Sequence, residues 1–246
     1  VKPYILDGKL FAEMVSKTTF ATSNSDARPI LQGVNMTFNA DKNVFVSTDS
    51  HRLSRLVFDG THEESSTEDL PKAITVPASV LDHALKSFDL SMQVAIFPSP
   101  QQIAIANGNT ILYSRLLEGN YPETERLIPT EFNSQLVVNR KEIIESLELL
   151  ATLGTNNIVE LKVNGLFVEL KAQGSNAKGM KEIAFETYDG EEGFSISFSA
   201  AYALVALKTT EHQSIKFRFV GAMRPFLITP VEESNELQLI LPVRQG

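Results

Sequence analysis

Polar and apolar residues alternate along this chain with two periods, and the periods follow one another in the same order twice. Residues 7–22, DGKLFAEMVSKTTFAT, put Leu10, Met14 and Val15 at helical spacing, and residues 139–154, NRKEIIESLELLATLG, do the same with Ile143, Leu147 and Leu150. Asp7 and Asn139 stand just ahead of these helices, where a short polar side chain accepts from the first unpaired backbone N–H groups. Period-two runs come next, at 33–38 and 44–46 in the first half and at 158–163 and 166–170 in the second. Such alternation marks half-buried antiparallel strands. Residues 75–86, TVPASVLDHALK, and 197–208, SFSAAYALVALK, then pass from a strand run into an amphipathic helix ending Ala-Leu-Lys. Further strand runs follow at 94–97 and 103–105, and again at 215–219 and 226–228. Asn107-Gly108 and Asn164-Gly165 fall between strand runs, as two-residue hairpin turns in which Gly tolerates a positive φ.

The order of elements predicts an α+β protein of two similar halves, residues 1–122 and 123–246, each with two helices packed on antiparallel sheets. The alternative is chance similarity between short amphipathic segments. Hydrophobic residues make up 43% of the 246 and charged residues 21%, the composition of a globular chain. There is no Cys, so disulfides and thiolate chemistry are excluded; this fits a reducing, cytoplasmic compartment. No apolar run approaches the roughly 20 residues of a membrane helix, and the start Val1-Lys2-Pro3-Tyr4 has no signal-peptide pattern. The net charge of −8 counts against broad contact with nucleic acid unless a basic face is hidden in the average.

Enzyme chemistry finds little support. Residues 47–55, STDSHRLSR, hold Ser50, Asp49 and His51 within three positions, the parts of a hydrolytic triad. On a strand, however, Asp49 and His51 would share a face and Ser50 would point away, and no Gly-x-Ser-x-Gly elbow occurs. A polar strand end bonded to local backbone is the plainer reading. The four histidines, His51, His62, His83 and His212, have no metal-ligand spacing, and no Gly-rich phosphate loop is present. No metal and no cofactor is expected. The acidic run 63–69, EESSTED, reads as a solvated loop.

Several motifs in order carry a family resemblance over the whole chain. Thr48-Asp49-Ser50-His51-Arg52-Leu53 resembles the Thr-Asp-Gly-His-Arg-Leu signature of the bacterial DNA polymerase III beta subunit, the sliding-clamp family. Residues 117–122, LEGNYP, resemble that family's Asp/Glu-Gly-x-Phe/Tyr-Pro segment, and MRPF at 223–226 and LPVR at 241–244 resemble its Gram-positive members. The resemblance implies two tandem clamp-type domains, the family's second and third, without its first. Two three-domain subunits of the family close a ring around duplex DNA. This chain alone is therefore expected to be a monomer that performs no bond chemistry.

The resemblance also gives STDSHRLSR a role. It implies a groove that takes short peptides, of the pattern Gln-Leu-x-Leu-Phe, from the polymerase alpha subunit, the clamp loader and other clamp-binding proteins. The matching positions are Leu31, Thr48, Ser50, His51, Arg52, Leu53, Pro122, Arg126, Leu127, Met223, Pro225, Leu239, Ile240, Leu241, Pro242, Val243 and Arg244. Leu53, Leu127, Leu239 and Leu241 are expected to line an apolar pocket, with His51, Arg52 and Arg244 at its rim; ordinary core packing is the alternative for the leucines. Ser50 replaces the family's common Gly, Asn156 stands where some relatives have an aromatic, and the Gln245-Gly246 end departs from the usual one. Helices line the ring in this family, so Lys9, Lys17, Lys86, Arg140, Lys141 and Lys208, with Arg28 ahead of Pro29, are the expected DNA-facing cations. Contact would be weak and sequence-blind. Loop acids such as Glu63, Glu64, Glu68, Glu191 and Glu192 would lie outside, while Glu13, Glu145 and Glu148 share helices with the cations. Two other readings stay open: a hydrolase using Asp49 and His51, and a general peptide-binding module without a DNA role.

Overall fold

A computed structural model describes residues 3–39, 41–59 and 73–244. His62 and the acidic run 63–69 lie outside the described residues, as do Gln245 and Gly246. The chain divides into two compact units, Val1–Glu123 and Thr124–Gly246.

The first unit runs β1 (Tyr4–Leu6), α1 (Gly8–Thr18), β2 (Gly33–Phe38), β3 (Lys42–Thr48), β4 (Arg52–Asp59), β5 (Ala73–Pro77), α2 (Ala78–Ser87), β6 (Val94–Pro98), β7 (Gln102–Asn107) and β8 (Thr110–Arg115). Its strands pair antiparallel in the orders β1-β6-β7-β8 and β5-β2-β3-β4. The second unit runs β9 (Ser134–Asn139), α3 (Arg140–Ala151), β10 (Ile158–Asn164), β11 (Phe167–Gln173), β12 (Lys178–Ala184), β13 (Thr187–Asp189), β14 (Ser195–Ser199), α4 (Ala200–Lys208), β15 (Ser214–Phe219), β16 (Phe226–Pro230) and β17 (Glu236–Ile240). Here the orders are β12-β11-β10-β14 and β13-β9-β15-β16-β17, again antiparallel. Apart from the short β13, each element has a counterpart in the other unit: α1 with α3, α2 with α4, β8 with β17.

The helices start where capping chemistry allows. The Asp7 carboxylate accepts from Lys9 N at 2.9 Å, and Asn139 Oδ1 accepts from both Lys141 N and Glu142 N. Helix α3 buries the expected Ile143, Leu147 and Leu150, whereas α1 buries Met14 and Val15 together with Phe11 and leaves the expected Leu10 only half-buried. The strands supply the rest of each core. Tyr4 stacks on Phe38 at 3.9 Å and Phe45 on Phe58 at 4.9 Å in the first unit. Phe226 contacts Phe198 at 5.2 Å and Phe219 at 5.5 Å in the second. Each fully buried aromatic or leucine is worth about 1.5–3 kcal/mol by area, so two separate cores of this size hold two domains.

Both hairpins sit one residue later than the Asn-Gly reading placed them. Asn107 pairs with Thr110, and Asn164 with Phe167. The loop residues are thus Gly108-Asn109 and Gly165-Leu166, each Gly at φ 55°. Only the first loop position needs positive φ, so Gly moves there and Asn stays in the ladder.

Candidate functional site

In the first domain, the β3–β4 connection carries the Asp49-Ser50-His51 stretch. It is a tight turn rather than a strand, closed by the Thr48–Leu53 pair. Ser50 takes φ 79°, a left-handed conformation that glycine adopts without strain. That accounts for Gly in the motif this stretch resembles. Asp49 Oδ1 accepts from His51 N at 2.9 Å and Arg52 N at 3.0 Å, and Oδ2 accepts from Arg52 Nε at 2.9 Å. Thr48 Oγ1 donates to Arg52 O at 2.6 Å and accepts from Ser50 N at 3.1 Å. Asp49 is therefore committed to the turn and to Arg52, and it does not orient the His51 imidazole. The hydrolase reading loses its relay here.

The turn presents His51 and Ser50 to solvent and holds Arg52 half-buried, its guanidinium 5.6 Å from the Phe20 ring centre. Arg28 Nη1 donates to Ser50 Oγ at 3.4 Å. Tyr121, which the sequence reading left out of the site, lies against this turn. Burial pushes its phenol pKa up, opposed by the Thr48 backbone and the Arg28 charge, and its hydroxyl has no hydrogen bond of full geometry. The Gly-Asn-Tyr-Pro motif was the available signal, but of its residues only Pro122 was assigned to the groove.

In the second domain, one turn of 3-10 helix, Thr124–Leu127, displays Arg126 and leaves Leu127 52% exposed. Met223 is 52% and Leu241 38% exposed, with Pro225, Pro242 and Val243 half-buried and Arg244 exposed. Val243 N donates to Ser197 O at 2.7 Å, which ties the C-terminal tail to the start of α4 through β14.

Of the four leucines expected to line the pocket, Leu127 and Leu241 are open and Leu53 and Leu239 are buried. Leu31, Leu53, Leu239 and Ile240 are 1–2% exposed, and Thr48 is 5%. Met223, Leu127 and Leu241 are the apolar side chains offered to a ligand.

The helix cations divide as well. Lys9, Lys86 and Lys141 are exposed, and Arg28 is exposed on a loop. Lys17 pairs with Glu13 at 2.7 Å, Lys208 with Glu148 at 2.6 Å and Lys141 with Glu145 at 3.9 Å. The Lys208 and Lys141 pairs are exposed and contribute about 0–1 kcal/mol, so phosphate can displace them, whereas the Lys17 side chain is largely buried. Arg140 is the exception and corrects the expectation. Its Nε donates to His212 O at 2.9 Å and its Nη1 to Leu207 O at 3.4 Å, so it caps the end of α4 instead of facing outward. Among the described residues, no helix is long and apolar enough to cross a membrane, and no group of three His, Asp or Glu is placed to hold a metal ion.

Comparison with known proteins agrees with this division. Residues 5–123 match the family described as DNA polymerase III beta subunit, central domain, and residues 125–244 match the C-terminal domain of the same subunit. The chain belongs to the DNA polymerase III beta subunit family. Among its members, the beta sliding clamp of Bacillus subtilis is 36% identical over 243 residues, which is 96% of this chain and 62% of that protein. The beta sliding clamp of Streptococcus pneumoniae is 34% identical, over 98% of this chain and 64% of its own length. The crystal structure of the beta subunit from Streptococcus pyogenes superposes with a TM-score of 0.93 at 30% identity, over all of this chain and 66% of that one. The chain thus spans just under two thirds of the length of the curated relatives it matches.

Proposed function

We propose that this chain is the peptide-docking part of a processivity clamp. It tethers a replicative DNA polymerase and other DNA-handling proteins to duplex DNA, in the cytoplasm, and makes or breaks no bond itself. The observation that carries this reading is the ordered match of central and C-terminal beta-subunit domains along the whole chain. The names of the relatives, beta sliding clamp, support it. The tether works by effective concentration: a polymerase held beside its template rebinds before it diffuses away.

Docking would use few strong contacts. Leu127, Met223 and Leu241 offer apolar surface, while His51, Arg52, Arg126 and Arg244 offer donors for backbone carbonyls or a Gln amide. DNA contact would be weak, through Lys9, Lys17, Lys86, Lys141 and Lys208, each able to trade a glutamate or water for phosphate.

The test is a polarisation titration with a fluorescent Gln-Leu-x-Leu-Phe peptide. Saturable binding is expected, weakened by about 1–3 kcal/mol in Leu241→Ala. A folded chain that ignores the peptide would remove the docking role. The general peptide-binding module would instead bind peptide while showing no salt-dependent affinity for duplex DNA.

A further inference from the structure

The outward face of the sheet β13-β9-β15-β16-β17 holds a basic group that the sequence reading did not single out. Register places Arg218 of β15 opposite Gln135 on one side and Leu227 on the other, and Leu227 opposite Leu239. These four side chains form one row on the face away from the core, since the neighbouring Phe217, Phe219, Phe226 and Ile240 belong to the core cluster.

Arg218 is half-buried and held in place. Its guanidinium carbon lies 5.0 Å from the centre of the Phe132 ring, and Nη2 donates to Thr229 Oγ1 at 3.3 Å. Its Nε is buried without an acceptor. Among the described residues no carboxylate pairs with it. The other basic side chains named above either have an acidic or carbonyl partner or stand in solvent: Arg52 has Asp49, Lys208 has Glu148, Lys17 has Glu13, and Arg140 has two carbonyls. Burial alone lowers the Arg218 pKa, with no nearby acid acting on it; a guanidinium stays protonated even so. The result is a fixed cation, partly stripped of water and without a counter-charge. An arginine in that state favours an incoming anion, because its planar fork matches a carboxylate and its orientation is already set by the ring beneath it.

The position chooses the kind of anion. Arg218 lies in the same row as Leu239, two strands or about 10 Å away, and Leu239 runs directly into the Ile240-Leu241-Pro242-Val243 segment. The helices α3 and α4 pack on the opposite face of this sheet, with the core, so Arg218 points away from the helical cations.

We propose that Arg218 is a specificity-determining residue that binds the carboxylate of an Asp or Glu flanking the apolar anchor of a docked peptide. This rests on the peptide-docking reading above. The experiment titrates the chain with matched fluorescent peptides that share the Gln-Leu-x-Leu-Phe core and carry either Glu or Gln at the residues flanking it. The same set is run on Arg218→Gln and Arg218→Lys, with circular dichroism confirming that both are folded. The wild type is expected to prefer a Glu peptide by about threefold to tenfold, the scale of one charge-assisted hydrogen bond at a partly exposed site. Arg218→Gln should erase that preference and leave the Gln peptide's affinity unchanged, and Arg218→Lys should keep part of it. A preference that survives in Arg218→Gln overturns the assignment while leaving docking intact. Failure of every peptide to bind folded wild type overturns the docking reading and the assignment together. If Arg218→Gln weakens duplex-DNA binding and leaves the peptides alone, the anion is a phosphate and the carboxylate assignment is wrong.

Discussion

The two domains share an order of elements, but their corresponding sheets turn different outer faces outward. In the first domain the outward rows of β1-β6-β7-β8 read Ile5, Ala95, Ala106 and Ile111, then Phe97, Ala104 and Tyr113. No charge interrupts these rows, and Ile111 is 53% and Tyr113 75% exposed. In the second domain the matching rows read Val137, Lys216 and Thr229, then Gln135, Arg218, Leu227 and Leu239. There the cations stay half-buried, and Leu227 and Leu239 are 1% and 2% exposed. One topology thus carries an open apolar face in one copy and a closed, partly basic face in the other. Period-two alternation sets which residues point inward. It leaves open what covers those that point outward.

The largest effect that would break this comparison is a difference in stability. Leu227→Ala should cost about 2–5 kcal/mol in chemical denaturation, as truncating a fully buried leucine does. Ile111→Ala should stay within about 0.5 kcal/mol, as an exposed position does. Equal costs at the two sites would erase the distinction between the faces.

A smaller effect concerns the helix starts. Asn139 accepts from two backbone N–H groups and Asp7 from one, whereas Pro77 ahead of α2 gives no side-chain cap. Asn139→Ala should destabilise the second domain by about 1 kcal/mol, seen as a lower denaturant midpoint with unchanged slope. No shift at all would mean that α3 is held by packing alone.

The smallest expected effect is a gain. Ser50→Gly removes the strain of φ 79° and should stabilise the first domain by about 0.5–1 kcal/mol, or slightly less if the long Arg28 contact matters. A loss of stability would show that the serine hydroxyl holds the turn.

Much of the fold was legible. The Asp7 and Asn139 caps, the Met14–Val15 and Leu147–Leu150 stripes and the Ala-Leu-Lys helix ends depend on neighbours within a few residues, which a periodic pattern records. The hairpins were displaced by one residue because ladder pairing across the turn decides which residue needs positive φ. The site was legible in part. His51, Arg126, Leu127, Met223, Leu241 and Arg244 stand where a ligand can reach them. Leu53 and Leu239 carry the same residue type but are buried, and no local pattern separates the two groups. Arg140 looked like a solvent cation until α4 brought the His212 and Leu207 carbonyls to it.

By itself the sequence determined two α+β domains in tandem, their helix starts and inward-facing strands, and the absence of thiol chemistry, since all of these follow from local periodicity, capping and composition. Its motifs in order also carried the family. Tertiary structure alone decided which leucines are open, which cations are neutralised, and that Arg218 rests on Phe132 without a counter-charge among the described residues. Those properties depend on what strands and helices far apart in sequence bring against each side chain, and burial and charge compensation are properties of that assembled neighbourhood.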